Sequence, residues 1–461
     1  MRLTVIGCGY LGAVHAAAMA DLGHHVLGVE TDPARLALLA RGEAPFYEPG
    51  LDELLRRGAR TGRLRYTAEL DGAAARADVH FLAVGTPQSP SGRGADLSHL
   101  WRAVDSLAAV LPRCVHPDGM PLVVGKSTVP VGTAQQVADR LVGRALVVWN
   151  PEFLRESMAV ADTLSPDRIV YGLPTEPARA ERARAILDEV YAPILAAGTP
   201  RLTMDYQTAE LVKTAANAFL ATKISFINAM SALCAATGAD VTVLADAIGR
   251  DARIGPHFLR AGLGFGGGCL PKDLRGLEQS AAELGANGLA SFLSRVDSIN
   301  RGQRDRVTQM ALEALGPNPA GRAVTILGIT FKPDSDDLRD SPVLEVALRL
   351  ADAGAVVTVH DPRGLEGLSR LHPVLRAQPD ALRALEGAEL VILGTEWKEL
   401  TDLDPRAAAA RVARPVLIDA RNALAPSRWT AAGWDYHGIG RPSELRWSAP
   451  RRRALAGTMV G

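Results

Sequence analysis

The run Leu3-Thr4-Val5-Ile6-Gly7-Cys8-Gly9-Tyr10-Leu11-Gly12 sets a short apolar strand against three closely spaced glycines and the start of a helix. Glycine at these places allows a tight turn, close approach of backbone to a ligand and close packing of helix on strand. The next apolar run, Val26 to Val29, ends on Glu30. Strand, glycine turn, helix, strand and terminal acid together predict a dinucleotide site built on Gly7, Gly9, Tyr10, Leu11 and Gly12, with the helix N-terminus favouring a pyrophosphate. A carboxylate at Glu30 would accept from an adenosine ribose hydroxyl and repel a 2′-phosphate, so NAD is expected over NADP.

Short apolar runs continue to alternate with helix-period segments at Val79 to Val84, Leu122 to Val124 and Leu146 to Val148. That alternation predicts a doubly wound parallel sheet over residues 1–195. From about Asp205 to Thr237 the chain has no Pro or Gly, and Gly238 supplies a helix stop. A helical spine is therefore expected over 196–305. After the turn-rich Leu315-Gly-Pro-Asn-Pro-Ala-Gly321, strands and helices alternate again at Ala323 to Leu327, Val356 to His360, Leu390 to Leu393 and Val416 to Asp419. The fold class is α/β, with two Rossmann-like domains, 1–195 and 318–440, joined by the spine, and a basic tail over 441–461.

The second half lacks the glycine triad, since Gly328 is followed by Ile329-Thr330-Phe331-Lys332-Pro333. It is not expected to bind a second dinucleotide in the same way. Ser341 reads as a helix N-cap with Pro342 at the first helical position. Lys332 and Arg339 before that helix would meet phosphates, or would simply be a solvated charged loop.

Charge balance is even, 51 Lys+Arg against 51 Asp+Glu, which gives no ground for a nucleic-acid partner. Four scattered cysteines show neither metal-ligand spacing nor a disulfide framework, so no metal is expected and a reducing compartment fits. Met1-Arg2 runs straight into a strand, and the sequence reads as cytoplasmic, with no membrane partner.

The segment Gly262-Leu-Gly-Phe-Gly-Gly-Gly-Cys-Leu-Pro-Lys-Asp273 places a thiol, an ammonium and a carboxylate after five glycines in seven residues. Such a backbone suits close approach to a ligand. Lys272 and Lys213 beside Cys269 would lower its pKa and make it a nucleophile, with Asp273 as a base towards water. On the spine, Glu210, Lys213 and Asn217 share one helix face. That face looks either on a wet site or on bulk solvent.

Taken in order, the glycine triad, Gly85-Thr86-Pro87, Ser127-Thr128-Val129-Pro130, Asn150-Pro151-Glu152-Phe153-Leu154, the Glu210/Lys213/Asn217 face, Gly264 to Asp273 and Phe331-Lys332-Pro333 resemble the UDP-glucose/GDP-mannose dehydrogenase family over residues 1 to about 440. The resemblance implies Cys269 as nucleophile, Lys213 and Asn217 at the C6 oxygen, Asp273 as helper of Lys213 and water, and Thr128 and Glu152 as holders of that water. Beyond the glycine turn it implies cofactor contacts from Glu30, Arg35, Thr86, Thr128, Glu156, Lys272 and Arg339. The nucleotide sugar would be lined by Glu152, Phe153, Leu154, Arg155, Glu156, Lys213, Asn217, Phe258, Leu259, Arg260, Ala261, Gly262, Gly266, Lys332 and Arg421. Arg253 would reach the substrate of a neighbouring subunit in a homodimer paired through the spine. Two positions depart from the family pattern: Gly268 stands for the commoner Ser, and Ala420 for the commoner Gly.

The reaction so implied is a four-electron oxidation with two hydride transfers to NAD, through a thiohemiacetal and a thioester on Cys269, then hydrolysis. UDP-glucose is the expected substrate, with GDP-mannose or a UDP-N-acetylhexosamine as alternatives. A two-electron hydroxyacid dehydrogenase would need neither Cys269 nor the second Rossmann-like half. A non-catalytic nucleotide-sugar sensor would not need the Cys269/Lys213/Asp273 set.

Overall fold

The computed structural model describes residues 1–70, 76–89, 94–112 and 119–442. Cys114 and the tail beyond residue 442 lie outside them.

Two sheets carry the fold. The first contains β1 (Arg2–Ile6), β2 (His25–Val29), β3 (Leu64–Thr67), β4 (Val79–Leu82), β5 (Leu122–Gly125), β6 (Leu146–Trp149), β7 (Ile169–Leu173) and β8 (Arg201–Asp205), in the order β3-β2-β1-β4-β5-β6-β7-β8. The strands from β3 to β6 are parallel, as expected. β7 meets β6 antiparallel, through Trp149 and Gly172, and β8 runs parallel to β7. β4, β5 and β6 are buried along their whole length, as strands covered on both faces must be.

The second sheet contains β9 (Ala323–Leu327), β10 (Val356–His360), β11 (Arg376–Ala377), β12 (Leu390–Leu393), β13 (Val416–Asp419) and β14 (Asp435–Gly438), ordered β11-β10-β9-β12-β13-β14 and parallel throughout. Strand order reverses at β1/β4 in one sheet and at β9/β12 in the other. At such switch points diverging loops open a crevice at the carboxyl ends of the strands.

Between the sheets runs the helix Tyr206–Thr237, entered directly from β8. Asp205 caps it by accepting from Thr208 N–H at 2.7 Å, and Gly238, at φ +78°, ends it. Its length and composition would let it cross a bilayer. In the fold, however, it packs against the helices Leu270–Glu283 and Asn287–Leu315, with Glu210, Lys213, Ala218, Ala221, Ser225 and Asn228 buried along one face. Small residues on that face allow the close approach. The last of these helices continues past residue 305 to Leu315 and reaches the second sheet, where Arg304 Nη2 lies 2.8 Å from Asp340 Oδ1.

Candidate active site

At the end of β1, Gly7 has φ +86°, and a Cβ there would press on Val84. A Cβ on Gly12 would collide with Gly7 O at 1.8 Å, so helix and turn can pack this closely only with glycine. A Cβ on Gly9 would meet nothing within 4 Å. The turn is thus closed on the protein side and open above Gly9, where a pyrophosphate would face the helix N-terminus. Glu30, buried at the end of β2, accepts from Cys8 N–H at 3.2 Å and Asp32 N–H at 2.9 Å, and pairs with Arg35 Nη1 at 3.1 Å. These residues fit a dinucleotide. Tyr10 turns its hydroxyl to Glu48, whose carboxylate also accepts from Ser157 and Ala159 N–H. Thr86 donates to Thr128 O at 2.7 Å, tying the loop after β4 to the loop after β5.

Cys269 is the residue before the helix Leu270–Glu283, in which Pro271 fixes the first turn. The glycines before it are packed from two sides. Asn300 clamps the loop through both Phe265 N–H, at 2.8 Å, and Phe265 O, at 3.0 Å, while Asn228 accepts from Gly262 N–H at 2.9 Å. From the second sheet's side, a Cβ on Gly262 would stand 2.7 Å from Ala420 O, and one on Gly266 would stand 2.2 Å from Asp340 O. The glycine run thus lets two domains close on the thiol.

Around Cys269 the chain gathers groups from distant segments. Lys213 Nζ lies 3.0 Å from Glu152 Oε1, and Glu152 Oε2 also accepts from Leu154 N–H at 2.6 Å. Asp273 is buried one turn after Cys269 and accepts from Asn217 Nδ2 at 2.6 Å and Lys272 Nζ at 2.7 Å. Burial opposes charge on Lys213, but Glu152, Asp273 and Cys269 outweigh it, so its pKa is raised and the ammonium persists. Cys269 is exposed as a residue, yet the surrounding protein strips most of the hydration from its thiol. That desolvation first, and the Glu152 carboxylate second, push the thiol up to about 12, with Lys213 opposing. This corrects the expectation of a lowered pKa: burial and the neighbouring carboxylates outweigh Lys213, while the Lys272 ammonium is turned to Asp273.

The spine face divides. Lys213 and Asn217 join the cluster, whereas Glu210 accepts from Gly132 N–H at 2.7 Å and Ala134 N–H at 2.6 Å, capping the helix Thr133–Arg140.

The remaining expected residues take varied places. Phe153 lies under Arg168, 4.0 Å from ring centroid to guanidinium carbon. Arg155 pairs with Asp162 at 2.6 Å. Glu156 meets Arg339 Nη2 at 3.2 Å and Lys332 donates to Glu156 O, so both cations bridge the two Rossmann-like halves. Burial first, then Asp337, raise the Glu156 carboxyl to about 7, against Arg339 and Lys332. Phe258 is held at φ +62°, with Leu259 and Ala261 buried and Arg260 exposed. Arg253 is exposed and paired with Asp251 at 2.6 Å.

Arg421 donates from Nε to Gly394 O at 2.7 Å, from Nη1 to Gly264 O at 3.0 Å and from Nη2 to Phe331 O at 3.0 Å. It joins three chain segments, a role the sequence does not announce. Sequence reasoning also missed Asn228 and Asn300, which look like ordinary helix polar residues, and Lys126, a lone cation ending an apolar run. Among the described residues no cluster of His, Cys, Asp and Glu could hold a metal ion.

Comparison with known proteins gives a consistent result along the whole chain. Models of the UDP-glucose/GDP-mannose dehydrogenase family match in three parts: its NAD binding domain over residues 1–195, its central domain over 207–302 and its UDP binding domain over 325–426. The chain is 39% identical to the UDP-glucose 6-dehydrogenase of Rhizobium meliloti (strain 1021), over 96% of this chain and 100% of that protein. It is 41% identical to the UDP-glucose 6-dehydrogenase of Pseudomonas aeruginosa, over 96% and 98%. A solved UDP-glucose dehydrogenase from Pyrobaculum islandicum superposes with TM-score 0.85 at 37% identity, covering 95% of this chain and 98% of that one.

Proposed function

The chain belongs to the UDP-glucose/GDP-mannose dehydrogenase family of NAD-dependent oxidoreductases, and from that premise we propose that it oxidises C6 of UDP-glucose to the carboxylate of UDP-glucuronate. The observation that carries the reading is the convergence of Cys269 with Lys213, Glu152, Asn217 and Asp273 from three separate segments. A thiol among these groups has no use in a two-electron alcohol oxidation. It is required where an aldehyde must be captured and oxidised again.

In this reading residues 1–195 hold NAD, 196–305 supply the nucleophile and 318–440 hold the nucleotide of the sugar. Gly7, Gly9, Tyr10, Leu11, Gly12, Glu30, Arg35, Thr86, Thr128, Glu156, Lys272 and Arg339 hold the cofactor. When bound, NAD accepts the hydride that C6 gives up at each oxidation. Lys213 and Asn217 hold the C6 oxygen as negative charge grows on it, an oxyanion-hole role that is strongest in a dry site. Cys269 adds to the C6 aldehyde, forming the C–S bond of a thiohemiacetal as the C=O π bond opens, and its proton passes by way of the Asp273 carboxylate to the C6 oxygen. Loss of the second hydride from C6, with the hydroxyl proton leaving to water by way of Asp273, gives a thioester. Water, held by Thr128, Glu152 and Asp273, then breaks the C–S bond and returns the thiol.

The sugar nucleotide lies along Glu152 to Glu156, Phe258 to Gly262, Gly266, Lys332 and the two N–H groups of Arg421 that its carbonyl contacts leave free. A second copy of the chain covers the outer face of the spine, where Leu211, Phe219, Phe226 and Leu233 are exposed at near-heptad spacing, and brings Arg253 to the neighbouring site. A catalytic free thiol suits the reducing cytoplasm.

Counting NADH against sugar consumed tests the assignment. Two NADH per UDP-glucose, with UDP-glucuronate as product, is the expected result. One NADH per sugar with released aldehyde would sink the covalent scheme, and preferential turnover of GDP-mannose or a UDP-N-acetylhexosamine would reassign the substrate.

A further inference from the structure

Lys126 follows β5 directly and is buried. Its Nζ lies 3.0 Å from Asn150 Oδ1 and 3.5 Å from the Tyr191 hydroxyl. These partners do not need it. Tyr191 donates to the same Asn150 Oδ1 at 2.8 Å, and Asn150 Nδ2 donates to Val170 O at 2.8 Å, so both stay satisfied if the lysine is removed. The neighbouring His15, in the helix Tyr10–Asp21, is buried against Phe81 and held well below its ordinary pKa by burial, then by Lys126, so it carries no compensating charge. Among the charged groups that face Lys126, Glu152 is the anion and Lys213 the like charge.

A buried ammonium without a directly bonded carboxylate is costly. Its placement makes sense in the reaction. Glu152 attracts two buried ammonium groups, and of the two it is Lys213 that pairs with it, at 3.0 Å. When the oxyanion at C6 draws on Lys213, Glu152 would be left as a half-buried charge with the Leu154 N–H alone. We propose that Lys126 is a positioning residue of the reaction, whose buried ammonium, bonded to Asn150 two residues before Glu152, holds the Glu152 carboxylate in place while Lys213 serves the C6 oxygen. This rests on the reaction assigned above.

The proposal has a pH signature. Burial first, with Lys213 adding, lowers the Lys126 ammonium to about 8 against the attraction of Glu152. Its charge is therefore present below that pH and lost above it. For stability the sign is opposite to that of a structural ion pair. Between about 8 and the ordinary lysine value the unfolded chain binds the extra proton, so the native state gains as pH rises, and at pH 7 the charge costs stability.

Steady-state kinetics and melting of full-length Lys126→Met and Lys126→Arg decide the matter, with UDP-glucose and NAD as substrates. Lys126→Met should lose kcat by about 100-fold, as for loss of one charge-stabilising group, with KM for UDP-glucose within about threefold of wild type and a Tm no lower than wild type. Lys126→Arg should recover most of that kcat at pH 7. The ratio of wild-type to Lys126→Arg kcat should fall above about pH 8, because arginine keeps its charge and limbs common to both enzymes cancel. A Lys126→Met enzyme within twofold of wild-type kcat, or one that loses Tm and kcat together, overturns the role. Should Lys126→Met not fold, the ratio decides, and a flat ratio from pH 7 to 10 overturns it. If wild type yields no NADH from UDP-glucose, the assigned reaction falls first. If wild type yields two NADH and any of the three overturning results is obtained, this role alone falls.

Discussion

A side chain at Gly268 would stand 2.6 Å from the guanidinium carbon of Arg339, whereas one at Gly266 would stand 2.2 Å from the backbone oxygen of Asp340. The first obstacle is the far end of a flexible, half-exposed side chain; the second is fixed backbone. Gly268→Ser should therefore fold, with Tm within a few degrees of wild type, while pushing Arg339 off Glu156 and raising KM for NAD several-fold. Gly266→Ala should lose about 3 kcal/mol or more, the cost of overpacking where nothing yields. Thermal melts of the two variants side by side check the contrast. Equal stability would mean that the domains do not close on the glycine run as described.

Cys269 separates the half-reactions. Cys269→Ser keeps the shape of the site but offers a poorer nucleophile whose ester hydrolyses slowly. Turnover should fall by several orders of magnitude, and an ester-linked sugar nucleotide should appear by intact mass. Cys269→Ala should form no adduct, yet still reduce a supplied C6 aldehyde with NADH. Near-normal acid formation by Cys269→Ala would make the thiol structural.

Glu156 makes stability depend on pH in an unusual direction. Its folded pKa, about 7, lies above the ordinary carboxyl value. Between the two the folded protein holds a proton that the unfolded chain has lost, so this group's contribution is full at low pH and declines as pH rises towards 7. Glu156→Gln, which cannot ionise, should gain on wild type by about 2 kcal/mol between pH 5 and pH 8. Denaturant melts of both proteins at the two pH values check this. A constant difference would place the Glu156 carboxylate in water.

The exposed stripe on the spine gives a further expectation. Phe219 and Phe226 are 67% and 52% exposed, a heavy apolar load for a solvated helix face. Phe219→Glu with Phe226→Glu should yield a folded monomer by sedimentation, against a dimer for wild type. A wild-type monomer would show that the stripe is not covered by a second copy.

Much of the architecture was legible because local chemistry and fold agree. The Gly7-Gly9-Gly12 turn with Glu30, the unbroken helix between Asp205 and Gly238, and the glycines before Cys269 each demand one backbone conformation or one close approach. β7 and β8 were not anticipated: Arg201–Asp205 is largely exposed and lacks an apolar run, and no local signal tells that the pair reverses against β6. Spacing put Glu210 beside Lys213 on the helix, but which polar residue caps a distant helix and which meets a thiol is settled by packing. The pKa of Cys269 was misjudged for a related reason. Sequence shows the two nearby lysines but not Glu152, which comes from 117 positions earlier (269 minus 152) and, together with burial, outweighs Lys213.

Arg421 holds its three partners through their peptide oxygens, at Gly264, Gly394 and Phe331. Every residue type presents such an oxygen, so the dependence runs one way. The three partner positions are free, as far as this junction is concerned, to change side chain without loosening it, whereas position 421 accepts no substitute, because lysine has no planar fork to span three directions. A mutational scan of the enzyme would therefore register this junction at one address of the four, where loss of the interdomain joint and loss of the proposed sugar-nucleotide contact coincide.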